Sequence, residues 1–375
     1  MFICVHLWFL SPTMTPLRIG LAGAGMIGST HSAVLQTIAQ ALPEALELTA
    51  VADPDAAARA RLQMLSGWRH TYADHAALLA GAAVDAVFVC TPTVFHAEIV
   101  RDVAAAGRHL FVEKPLAMSL AEARAMQAAV ARAGVRAQIG LVLRFSAIYR
   151  VMRALLAEPE MGAPLAVVFR DDQCFPIRGL HATGWRADRR LTAGGTLIEH
   201  GVHDLDLLTW LFGPMARLRA WQQHHAGHAG VEDYVAVECV FAGGLRAQLV
   251  SIWHDMAQRA SNRRLEIFCP RGFVASAADM SGSIMVQRGD GGEVRLAWNE
   301  VQARFAALLG RGDHRFRDWY GVPYLLQDLS FIEALRAGRD PDPGLAAGVE
   351  AQRLAAAVYA AAEGDREIDV SSFER

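Results

Sequence analysis

The stretch that decides the fold is Leu17-Arg18-Ile19-Gly20-Leu21-Ala22-Gly23-Ala24-Gly25-Met26-Ile27-Gly28. A short apolar run ends in Gly-x-Gly-x-x-Gly, and a helix-like segment follows to about Ala41. In a strand–turn–helix unit the first glycine permits the tight turn, the second lets backbone approach a pyrophosphate, and the third lets helix pack on strand. The helix N-terminus adds amide donors and a partial positive charge. Three glycines alone would equally well make a turn. The next apolar run, Leu46–Ala52, closes on Asp53, about 25 residues after Gly28. A carboxylate there accepts both ribose hydroxyls of NAD and repels the 2′-phosphate of NADP. Gly23, Gly25, Met26, Ile27, Gly28 and Asp53 are therefore the expected dinucleotide-binding residues, with NAD preferred over NADP.

Further runs at Val84–Cys90, His109–Val112 and Ala137–Leu143 alternate with helix-length Ala-rich segments. That order predicts an α/β, doubly wound parallel sheet over residues 17–143. Beyond Phe145 the strand-like runs are longer and partly alternating: Pro164–Arg170, Val231–Phe241, Leu245–Trp253 and Arg264–Cys269. Few helices separate them, so residues 144–375 are expected to form an α+β domain on a largely antiparallel open sheet. Helices are expected at Gly201–Phe212, Tyr324–Ala337 and Leu345–Ala362.

The chain has 375 residues, a net charge of −3 and 53% hydrophobic residues. Two domains are expected from that length. The near-neutral balance removes the electrostatic footprint of a nucleic-acid binder, and no apolar run has the length of a membrane span. Cys4, Cys90, Cys174, Cys239 and Cys269 are scattered without a CxxC pair, as expected in a reducing, cytoplasmic setting. Residues 1–10 are apolar but lack a basic flank. An over-extended start ahead of Met14 is the preferred reading, leaving residues 1–16 as a disordered or mis-assigned extension.

Lys114 is the only lysine; every other basic residue is arginine. Arginine does not readily release its proton, whereas lysine titrates when its surroundings lower its pKa. Lys114 lies in Glu113-Lys114-Pro115, where the fifth strand is expected to end. Thr91-Pro92-Thr93-Val94-Phe95-His96 lies where the fourth ends, on the same crevice edge. A later block reads Gly194-Gly195-Thr196-Leu197-Ile198-Glu199-His200-Gly201-Val202-His203-Asp204-Leu205-Asp206.

These four motifs, in this order, resemble the Gfo/Idh/MocA family of sugar and cyclitol oxidoreductases from about Leu17 to the C-terminal helix. The resemblance implies an N-terminal Rossmann domain and NAD as cofactor. It implies that Thr91, Pro92 and His96 line the nicotinamide side and that Glu113 helps position the nicotinamide ribose. Lys114 would be catalytic, with His203 as the second group. Arg144 would face the cleft, and Trp185 and Arg186 would shape the substrate site with His203. The substrate would be a small polyol or sugar, and the assembly a homodimer or homotetramer held by the second domain. Relatives often carry Asn at the position of Thr93 and Asp at that of Glu199. At helical spacing Glu199 and His203 share one face, so Glu199 is expected to orient or charge-stabilise the imidazole.

The alternative is a non-catalytic dinucleotide-binding regulator or scaffold of the same fold. Neither Glu199, His200 and His203 nor His224, His225 and His228 has zinc-ligand spacing, so no metal is expected. His200 is as well explained by packing as by a site role, and the histidine cluster by a solvated loop. The aromatic segment Phe316–Tyr324 fits either cleft or core.

Overall fold

A computed structural model describes residues 15–177, 183–256, 258–310 and 322–374. Residues 1–14 of the expected N-terminal extension, and Phe316–Gly321 of the aromatic segment, lie outside the described residues. The chain divides into two compact units. Among the described residues, one comprises 15–141 together with Tyr324–Glu350, and the other comprises 142–323 with 351–374. No helix among the described residues is long and apolar enough to cross a membrane.

In the first unit, β1 (Leu17–Ala22), α1 (Met26–Ala41), β2 (Leu46–Ala52), α2 (Ala56–Ser66), β3 (His70–Tyr72), α3 (His75–Gly81), β4 (Ala86–Val89), α4 (His96–Ala105), β5 (His109–Val112), α5 (Leu120–Ala133) and β6 (Ala137–Ile139) alternate. The strands pair in parallel in the order β3-β2-β1-β4-β5-β6. The order reverses between β1 and β4, which makes that edge the topological switch point. β2, β4 and β5 are buried on both faces over most of their length, which is why they read as largely apolar runs, β4 without a break. β6 is shorter than the run Ala137–Leu143 suggests. At Gly140 an added Cβ would lie 2.5 Å from Glu113 Oε1, and Val142–Phe145 coils into a 3₁₀ turn.

The second unit contains α6 (Ala147–Leu156), β7 (Ala166–Cys174), α7 (Val202–Phe212) and the strands β8 (Met215–Gln223), β9 (Tyr234–Phe241), β10 (Arg246–His254), β11 (Asn262–Cys269), β12 (Gly272–Ser276), β13 (Ile284–Arg288) and β14 (Val294–Leu296). Helix α8 (Trp298–Leu309) follows in this unit; α9 (Pro323–Arg336) and the start of α10 (Leu345–Gly364) belong to the first unit, and the rest of α10 and the terminal strand β15 (Ile368–Asp369) to the second. The sheet runs β14-β13-β12-β11-β7-β10-β9-β8-β15 and is antiparallel except for the central β7–β10 pair, which is parallel. β9, β10 and β11 alternate buried and open positions, so one face is covered and the other leaves Val168, Trp221 and Phe268 about 40% exposed.

The boundary expected near residue 143 marks only the first passage of the chain. Segment Tyr324–Glu350 returns to the first unit. Helix α9 buries Leu325, Leu329, Phe331 and Ile332, and residues 343–344 hydrogen-bond along β6.

Candidate active site

Three loops leave the carboxyl ends of β1, β4 and β5 on one edge of the parallel sheet. After β1, Gly23 has φ of +100°, and an added Cβ would meet the Cys90 carbonyl oxygen at 2.5 Å. At Gly28 a Cβ would lie 1.9 Å from the Gly23 carbonyl oxygen. Both glycines are therefore required by protein packing. Gly25 differs, because a Cβ there meets no protein atom within 4 Å. It caps α1 without a side-chain hydrogen bond, and no acidic residue occupies the first turn. The structure thus keeps an open, electropositive helix start beside backbone, which fits a dinucleotide pyrophosphate. Asp53 lies beside it: Oδ2 accepts the Ala24 N–H at 2.7 Å and Oδ1 the Asp55 N–H at 2.8 Å. Arg61 donates to the Ala24 carbonyl at 3.1 Å, and Arg59 to the Asp53 carbonyl.

After β4 and β5 the two loops are tied by His96, which is buried at the start of α4. Its Nδ1 faces the Pro115 carbonyl at 3.0 Å and its Nε2 the Thr91 carbonyl at 2.9 Å. Burial lowers the His96 pKa. His96 is thus a brace between the Thr91 and Lys114 loops, while Thr91 and Pro92 are half-exposed. Glu113 is buried, and both of its carboxylate oxygens have partners. Oε1 meets His31 Nε2 at 3.0 Å, and Oε2 accepts the Lys114 backbone N–H at 3.0 Å. Lys114 itself is half-buried at the strand end.

In the second unit, Leu197–Gly201 form a π-turn that runs directly into α7. Gly195 is required there by a close approach: an added Cβ would lie 1.9 Å from the Glu232 carbonyl oxygen. The Glu232 side chain holds the same turn, accepting the Gly195 and Leu197 N–H groups at 2.7 and 3.0 Å and the Tyr359 hydroxyl at 2.9 Å. His203 follows on the first turn of α7 and is buried. Glu199 is brought to Arg186, whose Nε donates to Oε2 at 3.1 Å, and Arg186 stacks over Trp185 at 4.7 Å. Trp185, Arg186 and Glu199 are thereby brought together. Arg144 is engaged bidentately by Asp206, at 2.9 and 2.6 Å, and so braces α7. His200 Nδ1 accepts from Trp253 Nε1 at 2.7 Å. His224 and His225 lie on the exposed turn after β8, and the His228 ring packs 5.1 Å from Phe175.

Sequence reasoning missed two charged clusters. Asp204, next to His203, is fully buried against Arg263 Nε at 2.8 Å. Arg263 also reaches Asp171 at 3.1 Å and Asp279 at 2.6 Å. Burial lifts Asp204 well above the usual carboxylate range, and Asp171 adds to it. Burial opposes the Arg263 charge, but Asp171, Asp204 and Asp279 outweigh it. The second cluster, around His31, contains Glu113. Burial disfavours the imidazolium, yet Asp328 and then Glu113 overcome this and raise His31 from 6.5 to about 10. Either cluster's only sequence signal is an ionisable residue at an apolar position.

Comparison with known proteins bears on this arrangement. The family model described as "Oxidoreductase family, NAD-binding Rossmann fold" (GFO_IDH_MocA) matches residues 17–141, and the GFO/IDH/MocA C-terminal domain matches 149–275. The 1,5-anhydro-D-fructose reductase of Ensifer adhaerens is 32% identical over 270 residues, covering 68% of this chain and 79% of that protein. The inositol 2-dehydrogenase of Rhizobium meliloti is 27% identical, covering 95% and 99%. An oxidoreductase domain protein from Kribbella flavida superposes with a TM-score of 0.81 at 27% identity, over 95% of this chain and all of that one. Levoglucosan dehydrogenase, solved with NADH, shares the fold with a TM-score of 0.82 at 20% identity, over 95% and 99%.

Proposed function

The chain belongs to the Gfo/Idh/MocA family of NAD-binding oxidoreductases, and from that premise we propose that it oxidises or reduces a sugar, cyclitol or related polyol at a secondary alcohol or ketone carbon, with Lys114 and His203 as the acid–base pair. Relatives named for inositol and anhydro-fructose support that substrate class. NAD, when bound, supplies the hydride acceptor. Its pyrophosphate would be held by the Gly23–Gly28 loop and its adenosine ribose by Asp53.

Oxidation removes a hydride from the carbinol carbon and a proton from its hydroxyl. Lys114 and His203 would accept that proton and stabilise the developing alkoxide; in reverse they return it to the carbonyl oxygen. Trp185 and Arg186 would shape the substrate site, and Glu199 would orient or charge-stabilise the His203 imidazole. The observation that carries the reading is the chain's only lysine standing next to buried Glu113, on the edge that also bears the glycine loop. We test it by following NADH formation over a panel of polyols. Lys114→Met should lose about 10²–10⁴-fold in kcat, typical of a general acid–base group, with NADH affinity retained. Lys114→Arg should fail equally, since a guanidinium does not release its proton. Near-normal turnover by Lys114→Arg would reduce the lysine to a point charge.

The open sheet face with Val168, Trp221 and Phe268 supports a homo-oligomer held by strands between Val231 and Cys269. Light scattering that gives a monomer at micromolar concentration would refute that. The free thiols Cys90, Cys174, Cys239 and Cys269 agree with work in the cytoplasm.

A further inference from the structure

Segments far apart in the chain meet around one imidazole. His31 lies on the buried face of α1, one turn beyond Gly28, and is 0% exposed. Phe88, Phe111 and Tyr324 surround its ring at 5.5, 5.0 and 5.7 Å. Within that apolar shell Nδ1 meets Asp328 Oδ2 at 2.7 Å and Nε2 meets Glu113 Oε1 at 3.0 Å. A neutral imidazole carries one N–H and would turn a lone pair toward the other carboxylate. Only the imidazolium donates in both directions. Two other titratable groups feel these carboxylates: burial, then Glu113 and Asp328, hold the Cys90 thiol protonated, and burial lowers the His96 pKa although Glu113 raises it.

The Glu113 carboxylate is also fixed from its far side. Its second oxygen accepts the Lys114 backbone N–H, and Gly140 packs so closely that a Cβ would strike the carboxylate. We infer that His31 is a positioning residue for Lys114: backed by Asp328, it pins the Glu113 carboxylate, which holds the Lys114 amide and so sets where the lysine leaves β5. The inference rests on the catalytic role proposed above. Misplacement of a catalytic group by about 1 Å can reduce rate about 100-fold, so the hold on Glu113 belongs to the chemistry as well as to the fold.

Two variants separate these roles. His31→Gln removes the cation that faces Glu113, whereas Asp328→Asn removes only the charge behind it. Below each variant's unfolding temperature, His31→Gln should lose about 100-fold in kcat, with the NADH Kd changed less than about threefold. Asp328→Asn should lower Tm but keep kcat within about threefold of wild type. Equal losses in both variants, or a normal kcat in His31→Gln, would overturn the inference.

A spectroscopic arm needs no substrate. With ¹³C-labelled lysine the protein gives a single lysine Cε resonance, from Lys114. His31→Gln should move that resonance and its titration midpoint, and an unmoved signal would refute the positioning role. If His31→Gln does not fold, the wild type decides through ¹⁵N-labelled histidine. At about pH 8.5, above the ordinary imidazole pKa of about 6.5, one ring should carry protons on both nitrogens; its absence would overturn the clamp. Wild-type turnover on the polyol panel is measured first. Failure there rejects the proposed function, while the lysine and histidine signals still judge the clamp.

Discussion

Alanine at Gly25 and alanine at Gly28 add the same methyl group to the same loop, and they should damage the protein in different ways. At Gly25 the methyl meets no protein atom within 4 Å, and the backbone (φ −69°, ψ −163°) suits any residue. The stability loss is limited to alanine's weakness as an N-cap, about 1 kcal/mol at most, or roughly 2–4 °C in Tm. At Gly28 the methyl would lie 1.9 Å from a carbonyl oxygen, which is backbone and cannot swing aside. Overpacking typically costs about 1–3 kcal/mol, and this contact belongs at the upper end, roughly 6–12 °C by the same relation.

Cofactor binding should reverse the ranking of severity at Gly25. Its methyl enters the space where the pyrophosphate is proposed to approach the amides of α1. Loss of one charge-assisted hydrogen bond, about 1.5–3 kcal/mol, raises Kd roughly 10- to 150-fold. NADH titration by fluorescence and melting of the cofactor-free protein measure the two effects separately. At 100 times Kd, bound NADH should stabilise wild type by about 2.7 kcal/mol, and Gly25→Ala at the same concentration should lose roughly half to nine-tenths of that gain. Wild-type NADH affinity in Gly25→Ala would refute the cradle. A cofactor-free Tm as low as that of Gly28→Ala would show that Gly25 is required by packing after all.

Asp53 should set the choice between cofactors, because a 2′-phosphate beside its carboxylate costs on the order of several kcal/mol. Asp53→Ser removes that charge and leaves Arg59 and Arg61 near the loop, so kcat/KM with NADP should rise relative to NAD; equal use of both by wild type would sink the assignment. Stability should also carry the signature of His31. The unfolded imidazole loses its proton near about 6.5 and the folded one near about 10, so this contribution is complete below the first value and is lost as pH rises through the second. Tm should fall across that window in wild type and fall less in His31→Gln, and equal slopes would contradict a buried imidazolium.

The parallel sheet was legible because strands buried on both faces must be apolar along their whole length, as Ala86–Val89 and His109–Val112 largely are. β3 escaped because His70-Thr71-Tyr72 is a polar edge strand with no apolar run. β12 to β14 escaped because short hairpin strands at a sheet edge carry too few alternating positions to show a period. Local motifs marked the loops but not the partners of their side chains. Glu199 also meets Arg186, a partner 13 residues back that no local spacing announces, because Gly184–Ala187 folds back onto the π-turn.

Long-range charge pairs are the harder case, and His31 with Asp328 shows why. The two residues are 297 positions apart, so no window or spacing rule joins them. Each nevertheless breaks a local pattern. His31 shares the inward face of α1 with Gly28, Val34, Leu35 and Ile38. Asp328 shares that of α9 with Leu325, Phe331 and Ile332. A buried ionisable group on an apolar helix face is tolerated only with a partner, so each position calls for an opposite charge arriving from elsewhere. The structure shows that two such demands of opposite sign, in one compact unit, answer each other. Glu113 completes the set: a carboxylate at the end of a fully buried strand needs the same cation. The imidazolium that satisfies both acids ties the glycine-loop helix, the lysine-bearing strand and the returning helix α9 into one unit.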